Sequence, residues 1–517
     1  MKIGFDNDKY LKIQSEHILE RIAEFDGKLY LELGGKLFDD HHASRVLPGF
    51  KPDSKLRMLA QLRNQLEIVI VISAEDIEKN KVRADLGITY DEDVLRLREE
   101  FLMRDFLVTS VVITHYDGQR AADHYRHRLE RMGIRSYIHY FIDGYPHDVD
   151  LIASDDGFGR NDYVETERPL VIVTAPGPGS GKMAVCLSQL YNEQKRGTRA
   201  GYAKFETFPV WSLPLKHPVN IAYEAATADL NDVNMIDPFH LEAYGKTAVN
   251  YNRDIEIFPV LNTLFEGIYG RSPYKSPTDM GVNMVGFCIS DDEVCCQASR
   301  NEIIRRYYDA TNKMADGADN ENEVHKIQML LSQAKITTAF RRTTVAAIER
   351  KQQTGHTAAA IELQDGTIIT SKSSPLLGCS AALLLNAMKH LAGISHDVKL
   401  IPQSIIKPIQ KTKIEYLGGH NPRLHTDEVL VALSVISQHE PSTTDTQTTA
   451  LSTLCGHALE QLPQLQGCQV HSTVMLSEVD RKIFKKLGCD LTCEPVKKKS
   501  THQLTATTTQ TTPHTSE

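Results

Sequence analysis

The sequence predicts an α/β protein whose N-terminal part is built on a mostly parallel sheet. Three observations carry this. Apolar runs of strand length recur through the first 175 residues, helix-period segments separate them, and a glycine-rich corner, "TAPGPGSGKM", ends the last run. Continuous apolar strands alternating with helices imply a parallel sheet covered on both faces. In such sheets ligands sit at the carboxyl ends of the strands.

In order, Ile18, Ile22 and Phe25 recur at helical spacing, and Gly27 follows as a stop. "KLYLEL" comes next, then Gly34 and Gly35. "LEIVIVIS" (66–73) and "FLVTSVVITHY" (106–116) read as strands buried on both faces. A polar helix carrying Tyr125 and Leu129 ends near Gly133. "IRSYIHYFI" (134–142) and "PLVIVTA" (169–175) are two more strands.

The pattern changes between about 241 and 350. "NEIIRRYYDATNKM" and "NENEVHKIQMLLSQAK" are helical, which suggests a helical subdomain. Strand signals return after 351. "TAAAIELQDGTIIT" reads as a hairpin, because Asp365-Gly366 suits a tight turn with positive φ. The helix "PLLGCSAALLLNAMKHLAG" and the regular element "DEVLVALSVISQH" follow, and "PSTTDTQTTALST" reads as a polar loop. The Thr-rich stretch 497–517 cannot bury a core and is expected to be a disordered tail. The expected organisation is therefore an α/β domain over 1–240, a helical subdomain over 241–350, a C-terminal α/β domain over 351–496, and the tail.

A net charge of -9 argues against a nucleic-acid binder or a membrane-surface protein, since either needs a basic face. No run of about 20 apolar residues spans a bilayer, and no signal peptide opens the chain. Nine cysteines in a chain of 517 residues read as reduced thiols of a cytoplasmic protein. Cys489 and Cys493 lack the second ligand pair that a zinc site needs.

The corner carries the functional signal. Glycines let successive N–H groups point inward, and the following helix adds its positive end. Gly177, Gly179, Ser180, Gly181 and Lys182 form such a P-loop-like arrangement between a strand and a helix. The Walker pattern is incomplete: Pro176 stands where its first glycine belongs, and Met183 stands where a magnesium-binding hydroxyl belongs. A glycine-rich corner made only for packing is the competing reading. Lys182 favours the phosphate loop, because a packing corner has no use for a cation.

Residues 200–245 follow with Lys204, Glu206, His217, Asn220, Glu224, Asp229, Asp232, Asn234, Asp237 and His240. Oxygen-rich mixtures suit magnesium. They offer replacements for the missing hydroxyl. Lys204 and His217 are candidates to stabilise a transferring phosphoryl group. Glu224 and His240 are candidates for a general base, with Asp229 and Asp237 as further acids. The acid pairs in "SAED" (73–76) and at Asp155 and Asp156 compete for the Walker B role, though each also reads as a turn.

"VTAPGPGSGKMAVCLSQLY", "GYAKFETFPVW", "HPVNIAYEAATADLNDVNMIDPFHLEAYG" and "MGVNMVGFCISDDEVCCQAS" resemble an uncharacterised bacterial family, domain of unknown function 1846, over about residues 1–495. The resemblance implies no activity and carries over no catalytic residues. The C-terminal part is similar in layout to cytidine deaminases, but their chemistry is absent. Cys379 is followed by Ser380 and Ala381 rather than a catalytic Glu, and His425 with Asp427 and Glu428 has no partner cysteines at the required spacing.

The expectation is a cytoplasmic protein that binds ATP or a related nucleotide with magnesium. A small-molecule substrate would undergo ATP-dependent phosphoryl transfer or ligation. Self-association is allowed, with no nucleic acid or membrane as partner. The alternative is a non-catalytic nucleotide or metabolite sensor, or a scaffold, using the same loop.

Overall fold

The computed structural model describes residues 2–496, less 36, 39, 84, 85 and 439–445. The expected tail at 497–517 lies outside the described residues. The chain divides into two compact units, one over Lys2–Glu302 and one from Ile303 onward. Residues 241–350, read from sequence as one helical subdomain, are thereby shared between the two.

The first unit is built on seven strands: β1 (Leu29–Leu33), β2 (Leu66–Ser73), β3 (Val108–Tyr116), β4 (Arg135–Tyr140), β5 (Leu170–Thr174), β6 (Gly201–Phe205) and β7 (Gly281–Val282). Their order in the sheet is β7-β6-β1-β5-β2-β3-β4, and every pairing between them is parallel. All eight residues of β2 and all five of β5 are buried. That explains their runs of Ile, Leu and Val, since a parallel strand covered on both faces has no polar side; the one charge, Glu67, accepts from the Glu167 and Arg168 N–H groups.

The helices follow from their apolar periods. Helix α1 (Asn7–Ala23) buries Tyr10, Leu11, Ile18 and Ile22. Helix α2 (Tyr90–Leu102) opens on a capping box of Thr89 and Glu92 and buries Val94, Leu97 and Phe101. Helix α3 (Arg120–Arg131) buries Ala122, Tyr125 and Leu129. Helix α4 (Lys182–Lys195) joins β5 to β6, and α5 (Asn252–Tyr269) follows a short antiparallel hairpin of Asn234–Ile236 with Val249–Tyr251.

The order of connections creates a switch in direction. From β1 the chain passes to β2, β3 and β4 on one side, then returns to place β5 between β1 and β2. From β5 it crosses β1 to reach β6 on the other side. The connections leaving the neighbouring strands β1 and β5 thus run in opposite directions. In open parallel sheets ligands sit at such a reversal, outside the carboxyl ends of the strands.

The second unit holds a mixed sheet of β8 (Ala358–Glu362), β9 (Ile368–Lys372), β10 (Gln469–Ser472) and β11 (Asp490–Cys493), in the order β9-β8-β10-β11. Strand β8 is antiparallel to both neighbours, and β10 is parallel to β11. The β8–β9 hairpin turns at Gly366, whose φ is +86°. Helices α6 (Arg342–Thr354) and α7 (Cys379–Leu391) pack on this sheet. "DEVLVALSVISQH" forms α8 (Thr426–Ser437).

One reading needs correction. Of the polar loop expected over 441–453, residues 441–445 lie outside the described residues, and 446–453 belong to α9 (Thr446–Leu459). Leu451, Leu454, Cys455 and Ala458 recur at helical spacing and join the apolar core of the unit, which outweighs the low helix propensity of the Thr-rich start.

Candidate functional site

The loop between β5 and α4 is held from behind. Thr114, at the end of β3, donates its hydroxyl to the Ser180 carbonyl at 2.7 Å and to the Ile72 carbonyl at 3.3 Å. The buried Ser180 hydroxyl donates to the Gly177 carbonyl at 3.1 Å. Packing explains the glycine at 177, where a Cβ would lie 2.3 Å from the Tyr90 hydroxyl. Backbone geometry explains Gly179 and Gly181, with φ of +75° and +82°. Gly179 faces open space, whereas a Cβ at Gly181 would also meet Thr114 at 3.1 Å.

The front of the loop is left unspent. Among the described residues, the N–H groups of Gly179, Ser180 and Gly181 make no hydrogen bond, and Gly181 gives α4 no side-chain cap. The first turn of α4, Lys182–Ala184, adds further N–H groups that a helix cannot satisfy internally. Pro176 and Pro178 contribute none.

Lys182, the first residue of α4, turns toward β1. Its ammonium lies 3.8 Å from the Glu32 carboxylate. Glu32 also accepts from the Tyr202 hydroxyl at 2.9 Å. In register, Glu32 stands between Val173 of β5 and Lys204 of β6. Lys204 in turn is ion-paired with Asp254 of α5 and, at 3.3 Å, with Glu206, and it donates to the Tyr251 hydroxyl. Two groups therefore stand side by side on adjacent strands, Lys182 with Glu32 and Lys204 with Glu206 and Asp254, and Glu32 acts on Lys204 through its charge.

Burial tunes the second group. It disfavours the charge on Lys204, but the surrounding Asp254, Tyr251, Glu206 and Glu32 outweigh it and hold the lysine well above its usual range. Burial raises Glu206, Lys204 pulls it down and Asp254 pushes it up again; the outcome is a carboxyl titrating at about 7. A carboxyl poised there exchanges a proton near neutrality.

Of the residues singled out from sequence, the structure brings Lys204 beside Glu32, the partner of Lys182. The others are engaged in local roles. His217 caps helix Pro218–Ala226, accepting from the Val219 N–H, and its Nε2 lies 3.0 Å from Asp292. Glu224 accepts from the Asn234 N–H, and Asp229 is exposed. Asp237 is fully buried, caps helix Pro238–Tyr244 and accepts from the Thr278 hydroxyl at 2.6 Å. His240 meets Ser276 at 3.1 Å and Asp279 at 3.7 Å. Asp155 pairs with Lys195 and accepts from Tyr191, while Glu75 and Asp76 pair with Lys79 and Lys81.

His217, Asp292 and Cys296 place ligand atoms within 4.8 Å of one another. Hydrogen bonds join them: Cys296 Sγ lies 3.5 Å from His217 Nε2 and 3.7 Å from Asp292. His217 Nδ1 accepts from the Val219 N–H, so Nε2 carries the proton that goes to Asp292. Burial and the Asp292 charge push the Cys296 thiol up to about 11. In the second unit, His425, Thr426 and Ser477 all converge on the buried Asp480, and Glu428 caps α8. This anchors two helix starts.

Sequence reading missed Glu32, Tyr251 and Asp254, and quoted Glu206 without a role. Glu32 had a signal: it is the one charge inside the buried strand "LYLEL".

The cavities among the described residues of the first unit include one at each end of its strands. One of about 610 Å³ opens where β1 and β6 begin, lined by Arg21, Glu24, Arg199, Glu266, Arg271 and Lys275. It is at the opposite end of the strands from the charge set, and Arg199, Arg271 and Lys275 are exposed. The other, about 120 Å³, includes Thr114, His139, Phe141, Ile142, Tyr145 and Ala184 in its lining. It adjoins the loop, because Thr114 pins the loop and Ala184 belongs to the first turn of α4. Among the described residues no helix is long and apolar enough to cross a membrane.

The chain is similar to known proteins along nearly all its length. It is 56% identical over 494 residues to the UPF0371 protein cu0538 of Corynebacterium urealyticum, covering 95% of this chain and 97% of the relative. It is 54% identical to UPF0371 proteins of Streptococcus sanguinis and Streptococcus thermophilus, covering 96% of this chain and 98% of each. A solved structure, the Aeropyrum pernix ORC2 protein in its ADP form, covers 87% of this chain and 93% of its own at 9% identity; its TM-score of 0.16 carries no argument. The family described as domain of unknown function DUF1846 matches with its N-terminal part over residues 3–335 and its C-terminal part over 339–502, and the chain belongs to that uncharacterised family.

Proposed function

We propose that the protein binds a nucleotide or another phosphorylated small molecule at Gly177–Lys182 and uses it in ATP-dependent phosphoryl transfer or ligation. The observation that carries this reading is the pinned loop with unspent N–H groups, beside half-buried lysines and carboxylates at the switch of a parallel sheet. Backbone N–H groups and a helix start attract phosphate oxygens. Lys182 lies at the mouth of that cradle. Lys204 supplies fixed positive charge for a transferring group. Glu206 is the group that takes or gives a proton. Glu32 and Asp254 are oxygen donors of the kind magnesium accepts, in place of the hydroxyl that Met183 lacks.

The P-loop-like reading of the loop and the cytidine-deaminase-like reading of the second unit's layout belong to this proposal. The Lys182–Glu32 pair supports a second reading, in which the lysine only closes a corner and the protein is a sensor or scaffold.

Thermal unfolding with ATP, GTP, AMP and inorganic phosphate, each with and without magnesium, separates the readings. A ligand at a hundred times its Kd adds about 2.7 kcal/mol. The proposal expects a shift that Lys182→Ala abolishes, followed by consumption of the nucleotide in a turnover assay. Binding without consumption favours the sensor. No shift with any ligand favours the corner.

A further inference from the structure

The cavity of about 610 Å³ lies at the far end of the strands from the glycine loop, and the proposed function makes no use of it. Its volume is that of a whole small-molecule site, which runs to several hundred Å³. Three separate parts of the chain wall it: the end of α1, the turn into β6 and the segment that follows α5. Each part brings a cation. Arg21 comes from the first, Arg199 from the second, and Arg271 and Lys275 from the third.

Rings hold two of these cations in place. The Arg21 guanidinium lies over the Tyr274 ring, 5.9 Å from its centroid, and the Arg199 guanidinium lies over the Phe25 ring at 5.7 Å. The two rings are buried and pack with centroids 6.1 Å apart. Their hydroxyl chemistry is already spent. Tyr274 donates to the Tyr202 carbonyl and accepts from the Tyr202 N–H, and Tyr269 donates to the Ala200 carbonyl. The tyrosines thus anchor the wall to the start of β6, and the polar groups left facing the cavity are mainly cations.

These cations are short of counter-charge. Arg21 has a partner in Glu24, at 3.1 Å. Among the described residues no ion pair reaches Arg199, Arg271 or Lys275; Asp26 accepts the Arg199 backbone N–H, not its guanidinium. The other acid of the lining, Glu266, accepts from Asn262 at 2.9 Å. Four cations against two carboxylates leave the lining at +2, in a protein whose net charge is -9. Like charges gathered in one concave wall repel each other and focus their field on whatever enters. An arginine fork matches the two oxygens of a phosphate or a carboxylate.

We propose that this cavity is a second ligand site, separate from the glycine loop, for a small polyanion: a molecule carrying two or more phosphate or carboxylate groups. Arg21 and Arg199 meet one anionic group from the ring wall, and Arg271 and Lys275 meet another from the segment after α5. The proposal does not rest on the phosphate-loop reading and stands or falls apart from it.

Calorimetric titration of the full chain with pyrophosphate and with citrate at low salt tests the proposal. The titrations are made on Lys182→Ala, so that binding by the loop does not enter. At least one of the two anions should bind. Adding Arg199→Ser should weaken that binding at least about tenfold, and adding Arg271→Glu should weaken it further still, since each removes a charge-assisted contact. Arg199 and Arg271 are exposed and make no ion pair, so both variants should keep the Tm of their parent, and either one decides. Lys407→Glu, the same change of net charge placed on an exposed residue of the second unit, should leave the affinity within twofold. Tighter binding of pyrophosphate supports a phosphorylated ligand, and tighter binding of citrate supports a polycarboxylate. Three results overturn the proposal: neither anion binds, binding is unchanged by Arg199→Ser and Arg271→Glu, or Lys407→Glu weakens it as much as Arg271→Glu. Binding that is seen with wild type and lost in Lys182→Ala alone belongs to the loop; it refutes the second site and leaves the loop reading in place.

Discussion

Glu206→Gln is the perturbation whose size follows most directly from the structure. Burial is the largest influence on Glu206, and with Lys204 and Asp254 it moves the carboxyl from 4.5 to about 7. At 1.36 kcal/mol per unit this is worth about 3 kcal/mol. The folded protein holds the proton more tightly than the unfolded chain. Between pH 4.5 and 7 the unfolded chain has lost the proton and the folded chain has kept it, so stability falls as pH rises through that window. Burial lowers His115, His139 and His471, which acts in the opposite sense: their contribution is lost as pH falls below the usual histidine range. The wild-type profile is therefore a mixture, and the difference from Glu206→Gln isolates the carboxyl. Glutamine keeps the shape and does not titrate. For a unit of this size 1 kcal/mol moves Tm by roughly 2 °C. Scanning calorimetry at constant salt should show the Tm of wild type falling by about 5 °C relative to the variant between pH 5 and pH 7.5. A difference that stays constant over that range refutes a shared proton in the set.

Three further substitutions test the supports of the site and of the second unit. Gly181→Ala forces a side chain into φ of +82° and against Thr114; chemical denaturation should show a loss of about 1–3 kcal/mol. Thr114→Val removes the donor that pins the buried Ser180 carbonyl, and should cost about 1–3 kcal/mol and weaken any phosphate bound by the loop. Asp490→Ala strips the carboxylate from the fully buried Arg341 guanidinium, which it meets at 2.9 Å; the calorimetric transition of the second unit should lose about 3–5 kcal/mol, and an unchanged transition would contradict the pairing.

The elements of the fold were legible where burial is one-sided or total. Strand β2 was read to its ends because all eight residues are buried and a Ser closes the run. The glycine loop was legible because two of its glycines serve positive φ. The stretch 200–245 was legible as polar but not as a site. His217 and Asp237 precede prolines that begin helices, which is a capping signal, and in the structure each caps its helix. What gathers at the loop comes from separate places in the chain: Glu32 from β1, Lys204 and Glu206 from β6 and its end, and Asp254 from α5. Spacing along one element carries local geometry only, and the order β6-β1-β5 that makes these residues neighbours is a property of topology.

The charge balance of the set gives the phosphate reading a consequence of its own. Two lysines, Lys182 and Lys204, face three carboxylates, Glu32, Glu206 and Asp254. With Glu206 protonated the set is neutral; with Glu206 ionised it carries one negative charge. A phosphate group settling on the loop adds negative charge beside it and so raises the carboxyl further. At pH 8, above the value of about 7, binding must then draw a proton into the protein. Calorimetric titration with phosphate in buffers of different ionisation enthalpy measures that uptake. The ligand's own titration is common to wild type and Glu206→Gln and cancels between them. Wild type should take up a fraction of a proton more than the variant at pH 8 and the same amount at pH 5.5, with its affinity dropping relative to the variant's as pH rises. Equal uptake by both proteins at pH 8 would mean that the phosphate and the carboxyl do not share a field, and the lysine–carboxylate set would lose its claim to be part of a phosphate site.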